Sequence, residues 1–165
     1  DEIRKVALSM LEGVDIDDLD DGIDESLRYK SLSHGPVPKI GHSLSLEFSL
    51  QHALDSAKTW GGDDADDKRS LCIIAPTNAM RDQAASYFKS NGFTVDTVEA
   101  AKADTTSVDK IFFSTMHRAK GLEFDRVIVI SNKLSELDSK QAADQRRLIY
   151  VALTRAKRAA SLIFF

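Results

Sequence analysis

A chain of 165 residues, 42% hydrophobic and 29% charged, is long enough to bury one sizeable core and points to one globular domain. Its net charge of −4 does not advertise a nucleic-acid binder, yet the charge is unevenly spread: acid concentrates between Asp15 and Glu25 and between Asp63 and Asp67, whereas the last third holds Arg146, Arg147, Arg155, Lys157 and Arg158. The single cysteine, Cys72, leaves no disulfide framework and no cysteine metal site, which suits a reducing, cytoplasmic setting, and no apolar run approaches the roughly 20 residues that cross a bilayer.

Ile3, Val6, Ala7, Met10 and Leu11 recur at helical spacing, with Asp1 and Glu2 favouring the positive end of the helix dipole, and predict a short amphipathic helix. An acidic connector follows, and Pro36 and Pro38 mark a loop or extended segment. The expected division is an N-terminal helix and connector over residues 1–35 and the main domain over 36–165. Apolar periodicity predicts a helix from Phe48 to Trp60, closed by Gly61-Gly62. Trp60 is expected to close a small core rather than to stack on a base.

From Ser70 onward strand and helix patterns alternate. Leu71 to Ala75 reads as a buried strand, Thr77 to Asn91 as a helix stopped by Gly92, and Thr94 to Val98 as a strand. Ile111 to Phe113 and Val127 to Ile130 are continuous apolar runs, as in parallel strands covered on both faces. Gln141 to Leu153 is helical and Ala159 to Phe165 forms a last strand. This order predicts an α/β domain with a mostly parallel central sheet flanked by helices, its ligands expected beyond the C-terminal ends of the strands.

The segment from Ser114 to Asp125, Ser-Thr-Met-His-Arg-Ala-Lys-Gly-Leu-Glu-Phe-Asp, is polar and carries a glycine, although it lies between two apolar strands. A loop offering hydroxyl, imidazole, ammonium and carboxylate groups can serve phosphates and ribose hydroxyls together, and Gly121 lets the backbone come close to a ligand. The run Thr115-x-His117-x-x-Lys120-Gly121-Leu122-Glu123-Phe124 resembles motif V of the UvrD/Rep group of superfamily 1 helicases. Asp144 to Lys157, an amphipathic helix ending in a basic turn, resembles motif VI of the same group. The resemblance covers roughly residues 70–165.

That resemblance implies a RecA-like three-layer domain, the second motor domain of an ATP-dependent DNA helicase. It implies that Arg155 reaches across a cleft to the γ-phosphate, where a fixed guanidinium stabilises charge developing in phosphoryl transfer. By the same resemblance Gly121 and Glu123 belong to the nucleotide site, with Glu123 accepting a hydrogen bond from the ribose, and Thr115, His117 and Lys120 meet the DNA strand. Cys72 to Arg81 falls where motif IV is expected, yet Ala75 and Pro76 occupy the places of its aromatic residue and arginine. Arg81, one helical turn on, is the candidate substitute, and Arg146 and Arg147 are further secondary candidates.

No Gly-x-x-x-x-Gly-Lys-Ser/Thr loop occurs, and no apolar strand ends in an Asp-Glu pair for magnesium. ATP and Mg2+ are therefore expected only in a larger parent protein, whose N-terminal RecA-like domain is the expected partner together with single-stranded DNA, RNA being left open. The chain alone is expected to be inactive. His34, His42 and His52 lack ligand spacing, and no metal site is assigned. The alternative is a non-catalytic nucleic-acid-binding or protein-docking module with a degenerate helicase fold, for which Ala75-Pro76 is the best support.

Overall fold

The apolar runs become the centre of a sheet whose strands all point one way. The computed structural model describes residues 2–9, 38–60, 70–98 and 110–165. Six strands, β1 (Lys39–His42), β2 (Leu71–Ala75), β3 (Val95–Thr97), β4 (Ile111–Thr115), β5 (Phe124–Ser131) and β6 (Ala156–Phe164), lie in the order β1-β6-β5-β2-β4-β3. Every pairing is parallel. The described helices are α1 (Glu2–Ser9), α2 (Leu46–Trp60), α3 (Asn78–Ser90) and α4 (Ser139–Leu153), with a 3-10 turn over Leu134–Glu136.

Each strand of the central sheet supplies two cores. Cys72, Ile74, Phe112, Val127, Val129, Ala160 and Leu162 face a layer that includes Ile3 and Ala7 of α1 and Ile149, Tyr150, Ala152 and Leu153 of α4. Leu71, Ile73, Ile111, Phe113, Ile128, Ile130 and Ile163 face Leu50, Ala53, Leu54 and Ala57 of α2 and Ala84, Ala85 and Phe88 of α3. Burial on both faces is why these strands read as unbroken apolar runs instead of alternating ones. The three-layer α/β RecA-like architecture expected from the sequence is therefore present.

Local chemistry sets the helix ends. Thr77 Oγ1 accepts the Met80 N–H at 3.2 Å to cap α3, and Gly92, at φ +89°, carries the chain past its end. Asp138 and Gln141 form a reciprocal capping box at the start of α4, so this helix begins two residues before the apolar pattern suggested.

β1 was not expected from the sequence. Its Lys-Ile-Gly-His run has no apolar pattern because it is an edge strand paired only with β6, through Lys39↔Ser161 to His42↔Phe164. The boundary at residue 35, both acidic runs and His34 lie outside the described residues, as does the side chain of Trp60. His42 stacks on Phe164 with centroids 5.5 Å apart, a packing role, and His52 is exposed on α2.

Two consequences of the core are measurable. Phe88 is fully buried and its ring meets Phe93 and Phe113 at 5.5 and 5.4 Å, whereas Phe48 is 52% exposed. Phe88→Ala is expected to lower the unfolding free energy in urea by about 3–5 kcal/mol and Phe48→Ala by about 0.5 kcal/mol or less. Burial also pushes the Cys72 thiol well above its ordinary value. Labelling by a thiol reagent should therefore be negligible in the folded chain and rise along the urea unfolding curve; rapid labelling below the transition would contradict this packing.

Candidate functional site

The parallel sheet has an upper edge, where strands end, and a lower edge, where they begin. Thr115 ends β4 at the level of Ala75, while Phe124 begins β5 two residues below the level of Leu71. The eight residues 116–123 must therefore bring the chain back down the sheet. They do so without a helix: the described turns run from Met116 to Gly121, and Met116, Ala119 and Leu122 are buried against the α4 face. Burying the methionine and leucine side chains contributes about 1.5–3 kcal/mol each, enough to hold an irregular segment as a strap. Gly121 sits at φ +82°, the left-handed region in which a side chain is strained, and reverses the chain just before the lower edge.

This strap separates the candidate residues into two groups. At its upper end Thr115 is only 6% exposed, and its Oγ1 accepts the Arg118 N–H at 3.2 Å. The Thr115 hydroxyl thus closes the turn that presents His117, which is exposed at the same edge. Next to it, Met116 N–H donates to Ala75 O at 3.1 Å, which places the N-terminus of α3, with Thr77 and Asn78, beside the turn. Lys120 is exposed further along the strap. Thr77 and Asn78 carried no assignment from the sequence, and only their N-terminal capping pattern could have marked them.

At the lower edge Glu123 and Arg155 meet. Phe124 N–H donates to Arg155 O at 2.9 Å, so the residue after Glu123 is tied directly to Arg155. Arg155 follows the last turn of α4; its Nε donates to Val151 O at 3.1 Å and its Nη2 to Thr154 Oγ1 at 3.4 Å. The Val151 carbonyl, at the helix end, is thereby shared between the guanidinium and the Thr154 hydroxyl, which donates to it at 2.8 Å, and a cation there also suits the helix dipole. Burial lowers its pKa from the ordinary value, and the Glu123 carboxylate and Tyr150 phenol pull the other way. An arginine so placed keeps its charge at neutral pH. Lys157 Nζ stands 3.6 Å from Glu123 Oε2, both groups being exposed. A guanidinium held beside an exposed carboxylate sets a cation able to pair with an anion next to an acceptor able to take a hydrogen bond from a hydroxyl.

The expectation that all the motifs lie beyond the C-terminal ends of the strands therefore needs correction. Thr115 and His117 lie there, but Glu123 and Arg155 lie at the N-terminal ends of β5 and β6, because the strap and α4 each return the chain to the lower edge. Ala75 and Arg155 are separated by roughly 20 Å along the strand direction. Arg81 starts down α3 from the upper edge on the opposite face of the sheet from α4, and it pairs with Asp82 at 2.9 Å, so the structure does not bring it to Arg155. Arg146 and Arg147 lie midway along α4, Arg147 donating to Asp144 Oδ1 of the same helix at 2.9 Å. Among the described residues no group of three or more His, Cys, Asp or Glu side chains could hold a metal ion, and no helix is long and apolar enough to cross a membrane.

Two residues that received no role from the sequence stand at the lower edge. Asp125 Oδ2 accepts both the N–H and the hydroxyl of Ser70, at 3.0 and 3.2 Å, and Asp125 N–H donates to Ser70 Oγ at 2.9 Å. Ser70 is 55 positions away in the chain, so no local spacing signals the pair.

The fold resembles the crystal structure of the C-terminal domain of a possible DNA helicase from Lactobacillus plantarum WCFS1, with a TM-score of 0.62, 21% identity, and coverage of 81% of this chain and 79% of that one. A putative ATP-dependent DNA helicase, YjcD, of Bacillus subtilis is 35% identical over 75 residues, or 38% of this chain and 10% of the relative. A probable DNA helicase II homolog of Mycoplasma capricolum is 34% identical over 80 residues, 44% of this chain and 10% of its own length. The chain thus spans about a tenth of the length of these curated relatives. The UvrD-like helicase C-terminal domain matches residues 74–165, which take in the strap, α4 and both groups of candidate residues, and the chain belongs to that family.

Proposed function

We propose that this chain is the C-terminal motor domain of an ATP-dependent DNA helicase or translocase, contributing an arginine to a nucleotide cleft at its lower edge and part of a single-stranded DNA track at its upper edge. The observation that carries this reading is the strap: one short segment, anchored by the buried Met116, Ala119 and Leu122, begins at the His117 turn and ends at Glu123, beside Arg155. Opening and closing of the cleft is thereby coupled to the grip on the strand. A nucleoside triphosphate with its magnesium, when bound, would supply the phosphoryl group for attack by water; the chain's own residues position and stabilise. Glu123 accepts a hydrogen bond from the ribose, with Gly121 allowing close approach. Arg155 leaves its helix-end carbonyl and offers its guanidinium to the charge developing on the phosphoryl oxygens.

His117 and Lys120 contact the DNA backbone, and the N-terminus of α3 adds backbone N–H groups oriented towards phosphate at the same edge. Ligands for the metal and the phosphate-binding loop fall to the N-terminal RecA-like domain of the same protein, so the chain by itself is expected to be inactive. The alternative of a non-catalytic module drew its support from Ala75-Pro76. Against that alternative stands the position of Ala75, level with Thr115 at the other edge of the sheet from the proposed cleft.

The test is steady-state ATP hydrolysis by the full-length protein with and without single-stranded DNA. Arg155→Ala is expected to reduce the DNA-stimulated kcat by on the order of a thousandfold. A native protein without DNA-stimulated hydrolysis, or a fully active Arg155→Ala variant, would refute the motor reading. His117→Ala should instead raise the DNA concentration for half-maximal stimulation, by roughly tenfold for one lost charge-assisted contact, with kcat at saturating DNA little changed. An unaltered DNA dependence would remove His117 from the track.

A further inference from the structure

The lower edge carries more hydrogen bonding than its position at the start of two strands requires. Ser70, immediately before β2, exchanges four hydrogen bonds with Asp125 and Arg126: its N–H and hydroxyl donate to Asp125 Oδ2, its Oγ accepts from Asp125 N–H, and its carbonyl accepts from Arg126 N–H at 3.0 Å. Ser70 is 5% exposed and the Asp125 side chain 28%, so this knot is partly buried and less weakened by water than a fully exposed contact.

Opposite the knot, β6 bulges. Phe124 pairs with Ala156 and Arg126 with Ala159, so two steps along β5 face three along β6. The extra residue falls at Lys157-Arg158 and re-aims both side chains along the edge: Lys157 Nζ stands 3.6 Å from Glu123 Oε2, and Arg158 Nε 3.7 Å from Asp125 Oδ1. Between knot and bulge lies the backbone bond from Phe124 N–H to Arg155 O. Glu123 and Arg155 are thus each within two bonded or hydrogen-bonded residues of Asp125.

Resting on the cleft reading above, we infer that Asp125 is a positioning residue: its knot with Ser70, braced by Arg158 from the bulge, holds Glu123 and Arg155 at the separation the nucleotide requires. Asp125 itself touches no substrate. Its carboxylate ties the start of β5 to Ser70 on the β2 side, opposite the β6 bulge, so the start of β5 keeps one position while Lys157 and Arg158 turn to the edge. A displacement of about 1 Å at reacting groups costs on the order of a hundredfold in rate, which is the scale on which loss of such a frame is felt.

The experiment compares native full-length protein with Asp125→Ala, Asp125→Asn, Ser70→Ala and Arg155→Ala in DNA-stimulated ATP hydrolysis, each assayed well below its own melting temperature. Asp125→Ala is expected to lower kcat through Arg155 and to raise KM for ATP through Glu123, reducing kcat/KM by roughly 10- to 100-fold. Asp125→Asn keeps an oxygen acceptor for Ser70 and should recover most of that loss. Should Asp125→Ala fail to fold, Ser70→Ala, which removes the bridging hydroxyl but keeps the backbone donor, is expected to show the same pattern with a smaller loss. Folded Asp125→Ala or Ser70→Ala protein with native kcat and KM, alongside an inactive Arg155→Ala variant, overturns the positioning role alone. An Arg155→Ala variant as active as native protein overturns the cleft reading, and this inference with it.

Discussion

When all strands of a sheet are parallel, each connection has to return the chain from the edge where strands end to the edge where they begin. Most of the returns described here use a helix, and α4 is the clearest case, starting after β5 and delivering Arg155 to the start of β6. The connection from β4 to β5 has only eight residues and uses a turn-rich strap held by Met116, Ala119 and Leu122. A strap pinned by burial and reversed at Gly121 is a short mechanical link across the sheet. The placing of both groups of candidate residues follows from this constraint.

The separation of the two groups also separates their electrostatics. At the lower edge Arg155, Lys157 and Arg158 face Glu123 and Asp125, so cations and carboxylates are interleaved. Such an edge can hold the Arg155 guanidinium partly desolvated without an uncompensated charge, and the helix-end carbonyl of Val151 completes its environment. At the upper edge the groups on offer are the exposed His117 and the backbone N–H groups that begin α3, an arrangement suited to a single strand of phosphates. The UvrD-like helicase C-terminal domain family, to which the chain belongs, matches residues 74–165 and so takes in both edges.

Much of this organisation was legible in the residues. The strands β2, β4 and β5 were readable because burial on both faces leaves unbroken apolar runs, and α3 and α4 were readable from their periodicity and stop signals. β1 escaped because an edge strand needs no apolar pattern, and the first residues of α4 escaped because its capping box lies ahead of the apolar stripe. In the site, Thr115, His117, Gly121, Glu123 and Arg155 were all marked by two contiguous motifs. The sequence did not reveal which of them share an edge, nor that Arg81, the candidate substitute for the motif IV arginine, lies on a helix across the sheet from the one that carries Arg155.

The order of strands and helices, the two motif segments and the residue types able to meet phosphate, ribose and DNA were determined by the sequence alone, since each depends on local pattern and on side-chain chemistry. The tertiary structure decided the distances. Strand order places Ala75 with Thr115 and away from Arg155, a long-range pairing joins Ser70 to an aspartate 55 residues away, and a bulge turns Lys157 and Arg158 onto the lower edge. None of these can be read along the chain, because hydrogen bonding between parallel strands links segments whose sequence separation carries no information about which of them lie side by side.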